Sequence, residues 1–204
     1  MPTVTALAPL PRKGGRFAVH VDGKPLCVLS ADAVAHASLS VGATLTSAQL
    51  PALRRQAAQE EALAAALRLL AVRPRSEAEI RQRLLARRMS TAAVSGAIAH
   101  LKQRGLLDDE AFARWWSSQR KEGRPQSVRQ TERELRRKGV GEDAAREAVS
   151  GLDDAEAAYT AALKRAKALT GLSRETYRRR LFAHLLRRGF SRSVALAAMK
   201  RVEG

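Results

Sequence analysis

The fold can be read from one stretch, Ile80-Arg-Gln-Arg-Leu84-Leu-Ala-Arg-Arg88-Met89-Ser-Thr-Ala-Ala-Val94-Ser-Gly-Ala-Ile98-Ala-His-Leu101. Its anchors Ile80, Leu84, Met89, Val94, Ile98 and Leu101 are spaced 4, 5, 5, 4 and 3 residues apart. Steps of 3 or 4 keep side chains on one helix face, while the two steps of 5 carry the chain through a turn into a second helix. The spacing returns 51 residues later at Thr131, Leu135, Val140, Ala145, Val149 and Leu152. It returns 50 residues after that at Leu181, Leu185, Phe190, Ala195, Met199 and Val202. All these residues are apolar or small except Thr131. Six aligned positions in three copies define a helical repeat of about 50 residues.

Gly139 and Gly189 fall where the first helix of a pair should stop, as left-handed C-cap residues. Arg88 holds that place in the first copy, so a different cap is expected there. A further helix precedes each pair, over residues 47–72, 109–121 and 154–170. Thr46 and Ser47 are good N-caps for the first of these, and Pro51 is tolerated in its opening turn. Leu50, Leu53, Ala57, Leu63, Leu67 and Leu70 supply its apolar face, and Pro74 ends it. Residues 12–30 differ: Arg16–Val21 and Leu26–Leu29 read as the arms of a β-hairpin turned at Asp22-Gly23, with Pro25 at a turn or edge. The fold class is therefore mainly α: three tandem three-helix repeats behind a small N-terminal β-hairpin unit. The expected domains are residues 1–46, 47–107, 108–153 and 154–204.

Composition narrows the partners. The 204 residues carry a formal net charge of +17, with 37 Lys and Arg against 20 Asp and Glu. A surplus of that size attracts polyanions, nucleic acid first and acidic protein or nucleoprotein second. No apolar run approaches the ~20 residues of a bilayer span, and no signal peptide is read at Met1–Pro11, so a cytoplasmic address and no membrane association are expected. Cys27 is the single cysteine and reads as a passive thiol. His20, His36, His100 and His184 are scattered, which gives a metal cluster no support. Phosphate-cradling, zinc-protease and nucleophile-elbow motifs are all missing. Asp108 and Asp109 suit a helix start rather than a catalytic pair. No enzyme activity, cofactor or metal is expected.

The basic residues are arranged by repeat. Arg81, Arg83, Arg87 and Arg88 lie in the first. Arg129, Arg133, Arg136, Arg137 and Lys138 lie in the second, and Arg178, Arg179, Arg180, Arg187 and Arg188 in the third. One cation per helix end compensates the helix dipole; runs of three favour a binding surface. The segment 141–155 is acidic, with Arg146 against Glu142, Asp143, Glu147, Asp153 and Asp154. A major-groove recognition helix is not built this way. Phe112, Trp115 and Trp116 share a helix face and read either as a base-stacking platform or as a core stripe, with the spacing favouring core.

Gly105-Leu-Leu-Asp108-Asp109-Glu-Ala-Phe112-Ala113 resembles the G-L-[IL]-[DN]-D-x-x-[FY]-A signature of the RecX family, regulators of the RecA recombinase. Glu134-Leu135-Arg-Arg-Lys138-Gly139-Val140 is similar to its E-L-x-x-K-G-[IV] motif, and Arg75-Ser76 with Glu79 and Leu84 to the opening of its first repeat. Val21-Asp22-Gly23-Lys24 fits the hairpin extension found in some members. The third repeat, with Arg187-Arg188-Gly189-Phe190, only loosely echoes the motif. The resemblance implies an elongated, curved molecule that binds in the groove of the RecA–DNA filament. It implies inhibition of RecA ATPase, strand exchange and filament growth, in recombinational DNA repair and the SOS response. It also implies some direct affinity for DNA. The +17 charge, with no basic recognition helix in the second repeat, leads to the expectation that single- and double-stranded DNA are bound without sequence specificity. A monomer is expected. The competing reading is a non-enzymatic DNA-binding repeat protein acting as a transcriptional regulator.

Overall fold

The structure, a computed structural model, describes residues 1–11 and 14–203. Arg12 and Lys13, which open the hairpin segment read from the sequence, and Gly204 lie outside the described residues. The first strand is β1 (Val4–Leu10), followed by β2 (Arg16–Val21) and β3 (Lys24–Ser30). Asp22 and Gly23 take φ of 50° and 76°, the left-handed turn that matches the twist of the strands it joins. The expected hairpin is thus the β2–β3 pair, but β1 adds a third strand in the antiparallel order β1-β2-β3. Val4-Thr-Ala-Leu-Ala-Pro-Leu10 concealed it, because its alternation is weak and Pro9 interrupts it. Pro9 and Pro25 both stand on edge strands, where a missing N–H can face away from the ladder. Among the described residues every strand lies before residue 31, and Thr44 adds only a single bridge to Thr3.

Two helices follow the sheet, α1 (Ala31–His36) and α2 (Gln49–Leu70). Ser30 caps α1, its hydroxyl accepting from the Ala33 N–H at 3.2 Å. Ahead of α2, the Thr46 hydroxyl accepts from the Gln49 N–H at 3.2 Å while the Thr46 N–H donates to Gln49 Oε1 at 2.7 Å. That is a reciprocal capping box, one turn before the regular helix. Glu60 on α2 fastens the sheet by accepting from the Ser30 N–H at 2.8 Å and the Ser30 hydroxyl at 2.9 Å. The Arg16 guanidinium stands 3.9 Å from the same carboxylate. The buried face of α2 is Leu53 below and Ala62, Ala65, Ala66 and Leu69 above. Leu67, expected on that face, is 42% exposed. Alanines replace it there because α2 runs close against α4, and small side chains permit that approach.

The chain divides into two compact units: Met1–Arg73 with Ile80–Leu107, and Pro74–Glu79 with Asp108–Gly204. In the first, α3 (Glu77–Leu85) and α4 (Thr91–Gln103) bury Ile80, Leu84, Val94, Ile98 and Leu101 against Ala65, Ala66 and Leu69. The second unit contains α5 (Asp109–Glu122), α6 (Val128–Arg137) and α7 (Glu142–Val149). It continues with α8 (Asp154–Lys167), α9 (Arg174–Arg187) and α10 (Arg192–Glu203). Its cores are built on Phe112, Leu135, Val140, Ala145 and Val149, and on Leu181, Leu185, Phe190, Ala195 and Met199. Thr131, the polar member of the repeat, is fully buried, and its hydroxyl donates to the Ser127 carbonyl at 3.0 Å. No buried polar group is left unpaired at that position.

Gly139 and Gly189 close α6 and α9 with φ of 82° and 86°. The different cap expected at Arg88 is not found: Arg88 takes the same left-handed turn, at φ 61°. Glycine is needed at the other two for a second reason. A Cβ on Gly139 would strike that of Ala78, and one on Gly189 would lie 2.6 Å from the Ser127 hydroxyl. Matching hydrogen bonds surround these contacts. The Ser76 hydroxyl donates to the Lys138 carbonyl at 2.5 Å, and the Ser127 N–H to the Arg188 carbonyl at 3.0 Å. Asp109 accepts from the Glu77 N–H at 2.8 Å, and Asp154 accepts from the Val128 N–H at 2.7 Å. Two helix starts thus obtain their missing partners from the next repeat in sequence.

Candidate functional site

α6 shows how a repeat helix becomes a charged surface. Ser127 caps it, accepting from the Gln130 N–H at 3.1 Å, and Gly139 stops it. Thr131 and Leu135 fix its buried side. Helical geometry then sends Arg129, Arg133, Arg136 and Arg137 outward, one or two turns apart. All four are exposed and, with Glu132, line a shallow concavity. Arg136 stands 3.6 Å from Glu142 at the start of α7. Arg129, Arg133 and Arg137 carry no ion pair among the described residues. Three guanidinium forks, each suited to a phosphate or a carboxylate, are therefore uncommitted on one helix face.

The other sequence candidates are distributed. Arg83, Arg87 and Arg88 are exposed in the first unit, while Arg81 is half-buried and donates to the Ser95 hydroxyl at 3.2 Å. On α9, Arg179 and Arg187 are exposed, and Arg178 is paired with Glu203 at 2.8 Å. Arg188 is half-buried and donates to the Pro125 carbonyl at 3.3 Å. Burial, then Arg124 and Arg120 nearby, push its guanidinium below the usual arginine range. Lys138 is turned inward. Its ammonium lies 2.6 Å from Glu79 and 4.1 Å from the Trp116 ring centroid.

Trp116 is the centre of an arrangement that sequence inspection missed. Arg120 covers its ring at 4.4 Å, and the indole N–H donates to Glu134 at 3.3 Å. Glu134 also holds Arg120 at 2.8 Å. Trp115 and Trp116 pack half-buried against the Phe112 core, each ring 6.0 Å from that of Phe112. A ring already covered by two cations is not open to a base. The spacing Trp116-x-x-x-Arg120 was a usable signal for part of this cluster; the partners Glu79, Glu134 and Lys138 come from other helices and leave none.

The remaining features offer little chemistry. The acidic α7 keeps its one arginine occupied, with Arg146 at 2.7 Å from Glu142 and 3.7 Å from Asp143. Cys27 is half-buried, and burial raises its thiol above the ordinary value. Among the described residues no group of three or more His, Cys, Asp or Glu could hold a metal ion, and no helix is long and apolar enough to cross a membrane.

Fold and surface together define a tandem three-helix repeat protein with an arginine-faced helix. The family models for the first, second and third three-helix domains of RecX match residues 62–101, 108–149 and 153–199. The chain belongs to the RecX family of regulatory proteins. It is 34% identical over 145 residues to the regulatory protein RecX of Streptomyces coelicolor, covering 70% of this chain and 77% of that one. It is 33% identical over 144 residues to the Chlorobium limicola protein of the same name, covering 71% and 91% of the two chains. A crystal structure of regulatory protein RecX superposes with a TM-score of 0.71 at 23% identity, over 98% of this chain and 100% of the other. RecX from Lactobacillus salivarius gives 0.58 at 20% identity, over 72% and 97%.

Proposed function

We propose that this chain regulates the RecA recombinase by binding the RecA–DNA filament and restraining its ATPase, strand exchange and growth, so modulating recombinational DNA repair and the SOS response. Membership of the RecX family supports a regulatory role. The observation that carries the reading in this chain is the arginine face of α6, where Arg129, Arg133 and Arg137 have no ion pair among the described residues. A nucleoprotein offers such forks both phosphates and carboxylates. The protein acts by occupying the filament rather than by chemistry of its own. DNA is bound directly through the same charge, on single and double strands alike. The acidic α7 opposes the alternative of a sequence-reading transcriptional regulator, because its exposed Glu142 and Asp143 would meet phosphates. The test is DNA-stimulated ATP hydrolysis by RecA at concentrations of this protein too low to coat the DNA. Suppression there supports a filament regulator. Suppression only when the DNA is saturated would leave simple competition for DNA.

A further inference from the structure

A second basic feature lies in the second unit, beside the N-terminal end of α6, where the Ser127 N–H donates to the Arg188 carbonyl. Lys164 and Arg165 of α8 and His184 of α9, with Arg188 just beyond it, line one cavity of about 240 Å³ with Gly123, Pro125, Ala161 and Ala168. Lys164 is already engaged, donating to the Glu122 carbonyl at 2.6 Å and the Gly123 carbonyl at 3.3 Å, the free C-terminal carbonyls of α5. Arg188 spends one N–H on the Pro125 carbonyl. The Arg165 Nε is buried and has no hydrogen-bond partner. Neither Arg165 nor Arg188 has an ion pair among the described residues. Burial, then Arg188, Arg165 and Arg187, push the His184 imidazole below its usual range, and Glu134 of α6 acts on Arg188 from beyond ion-pair distance. Cations gathered in a partly desolvated site are costly unless an anion joins them.

We propose that this cavity is an anion site for a phosphate group, held by the Arg165 and Arg188 guanidiniums with the His184 imidazole as a third contact. A tetrahedral phosphate accepts from several donors at once, as two guanidinium forks and an imidazole N–H require. The volume admits one phosphate with its ester substituents but not a folded polypeptide segment. The group can be a free phosphate ion or the backbone of a single strand. The site shares no lining residue with the arginine face of α6 and does not depend on the RecA reading.

The experiment follows the imidazole resonances of the full chain by NMR at fixed pH and ionic strength. Sodium phosphate is titrated against sodium chloride, then an oligothymidylate is added with and without phosphate. The His184 resonance shifts and saturates with phosphate, while those of His20, His36 and His100 do not. If the oligothymidylate also shifts His184 and raises the phosphate concentration needed to reach saturation, the two compete for one site and the ligand is the strand backbone. If phosphate alone acts, the ligand is the free ion. Arg165→Gln and Arg188→Gln each weaken the response about tenfold, the loss expected for one charge-assisted contact. Their folding is checked by circular dichroism, and the wild-type titration stands whether or not they fold. The absence of a saturable, His184-selective shift with either compound overturns the site. So does an undiminished response in a folded Arg165→Gln.

Discussion

Gly139 packs its bare α-carbon side against the Cβ of Ala78, at the point where the turn after α6 meets the first residues of α3. Gly189 stands in the same relation to Ser127 and Gln130. Arg88, the third member of the series, carries a full side chain in the same left-handed conformation. Two effects therefore separate. Gly139→Ala incurs both the left-handed penalty of about 1–2 kcal/mol and an overpacking cost of about 1–3 kcal/mol. Arg88→Gly removes only the backbone penalty, and the greater freedom of glycine in the unfolded chain takes back part of the gain. Chemical denaturation should show Gly139→Ala clearly destabilised and Arg88→Gly slightly stabilised, by about 0.5–1 kcal/mol. A Gly139→Ala cost no larger than the left-handed penalty alone, about 1–2 kcal/mol, would mean that the approach to Ala78 does not matter.

Trp116 is expected to matter for stability. Trp116→Ala removes a half-buried ring, the cation contacts of Lys138 and Arg120, and the bond to Glu134, for a loss of roughly 3–4 kcal/mol. Trp116→Phe keeps a ring for the two cations and loses mainly the indole bond, about 1 kcal/mol. Trp115→Ala is also destabilising, since that ring packs on Phe112. Thermal unfolding by circular dichroism reads all three. A Trp115→Ala or Trp116→Ala protein with parental stability and lost DNA binding would restore the base-stacking reading.

The repeat was legible because core positions answer to one rule, apolar spacing, wherever they fall. Ile80, Leu135 and Leu185 are fully buried as the period requires. The left-handed turn at Arg88 was not legible, because residue type reports a preference and the fold can impose the conformation regardless. β1 was missed since its pairing with β2, not its own composition, makes it a strand. The exposed arginines of α6 could be placed from Thr131 and Leu135 alone. The fates of Lys138 and Arg178 could not, because their carboxylate partners Glu79 and Glu203 lie 59 and 25 residues away. The cavity of Arg165, His184 and Arg188 was invisible for the same reason: its lining comes from three separate stretches of chain.

Direct DNA binding should be electrostatic and indifferent to sequence. The exposed arginines lie on helix faces, and α7, placed like a recognition helix in the second repeat, is acidic. The logarithm of affinity for a single strand should fall linearly with the logarithm of salt, at about −0.7 per phosphate contacted, and at about −0.9 on duplex. Fluorescence anisotropy across a salt series measures the slope. A duplex site bound about a thousandfold more tightly than random DNA at physiological salt would reverse the conclusion.

The decisive comparison is between two sets of arginines carrying equal charge. Arg129, Arg133 and Arg137 share the exposed face of α6, whereas Arg54, Arg55 and Arg68 are exposed on α2. Arg16 is unsuitable as a control, because it is tied to Glu60 and its loss would loosen the sheet. A single exposed charge is worth under about 1 kcal/mol, so single changes should do little. Three neighbouring forks act together, and their joint removal should raise the concentration needed to inhibit RecA by about tenfold or more. Arg136 is left in place, since its partner Glu142 opens α7. Folding should survive in both triple variants, because Thr131 and Leu135 lie on the opposite side of α6 and the α2 arginines are exposed. RecA ATPase on single-stranded DNA is the readout, with circular dichroism alongside. If the α6 variant inhibits as the parent does, this face plays no part, and the contact passes to the acidic α7 with Glu142, Asp143 and Glu147. If both triple variants lose inhibition equally, net charge rather than position is responsible.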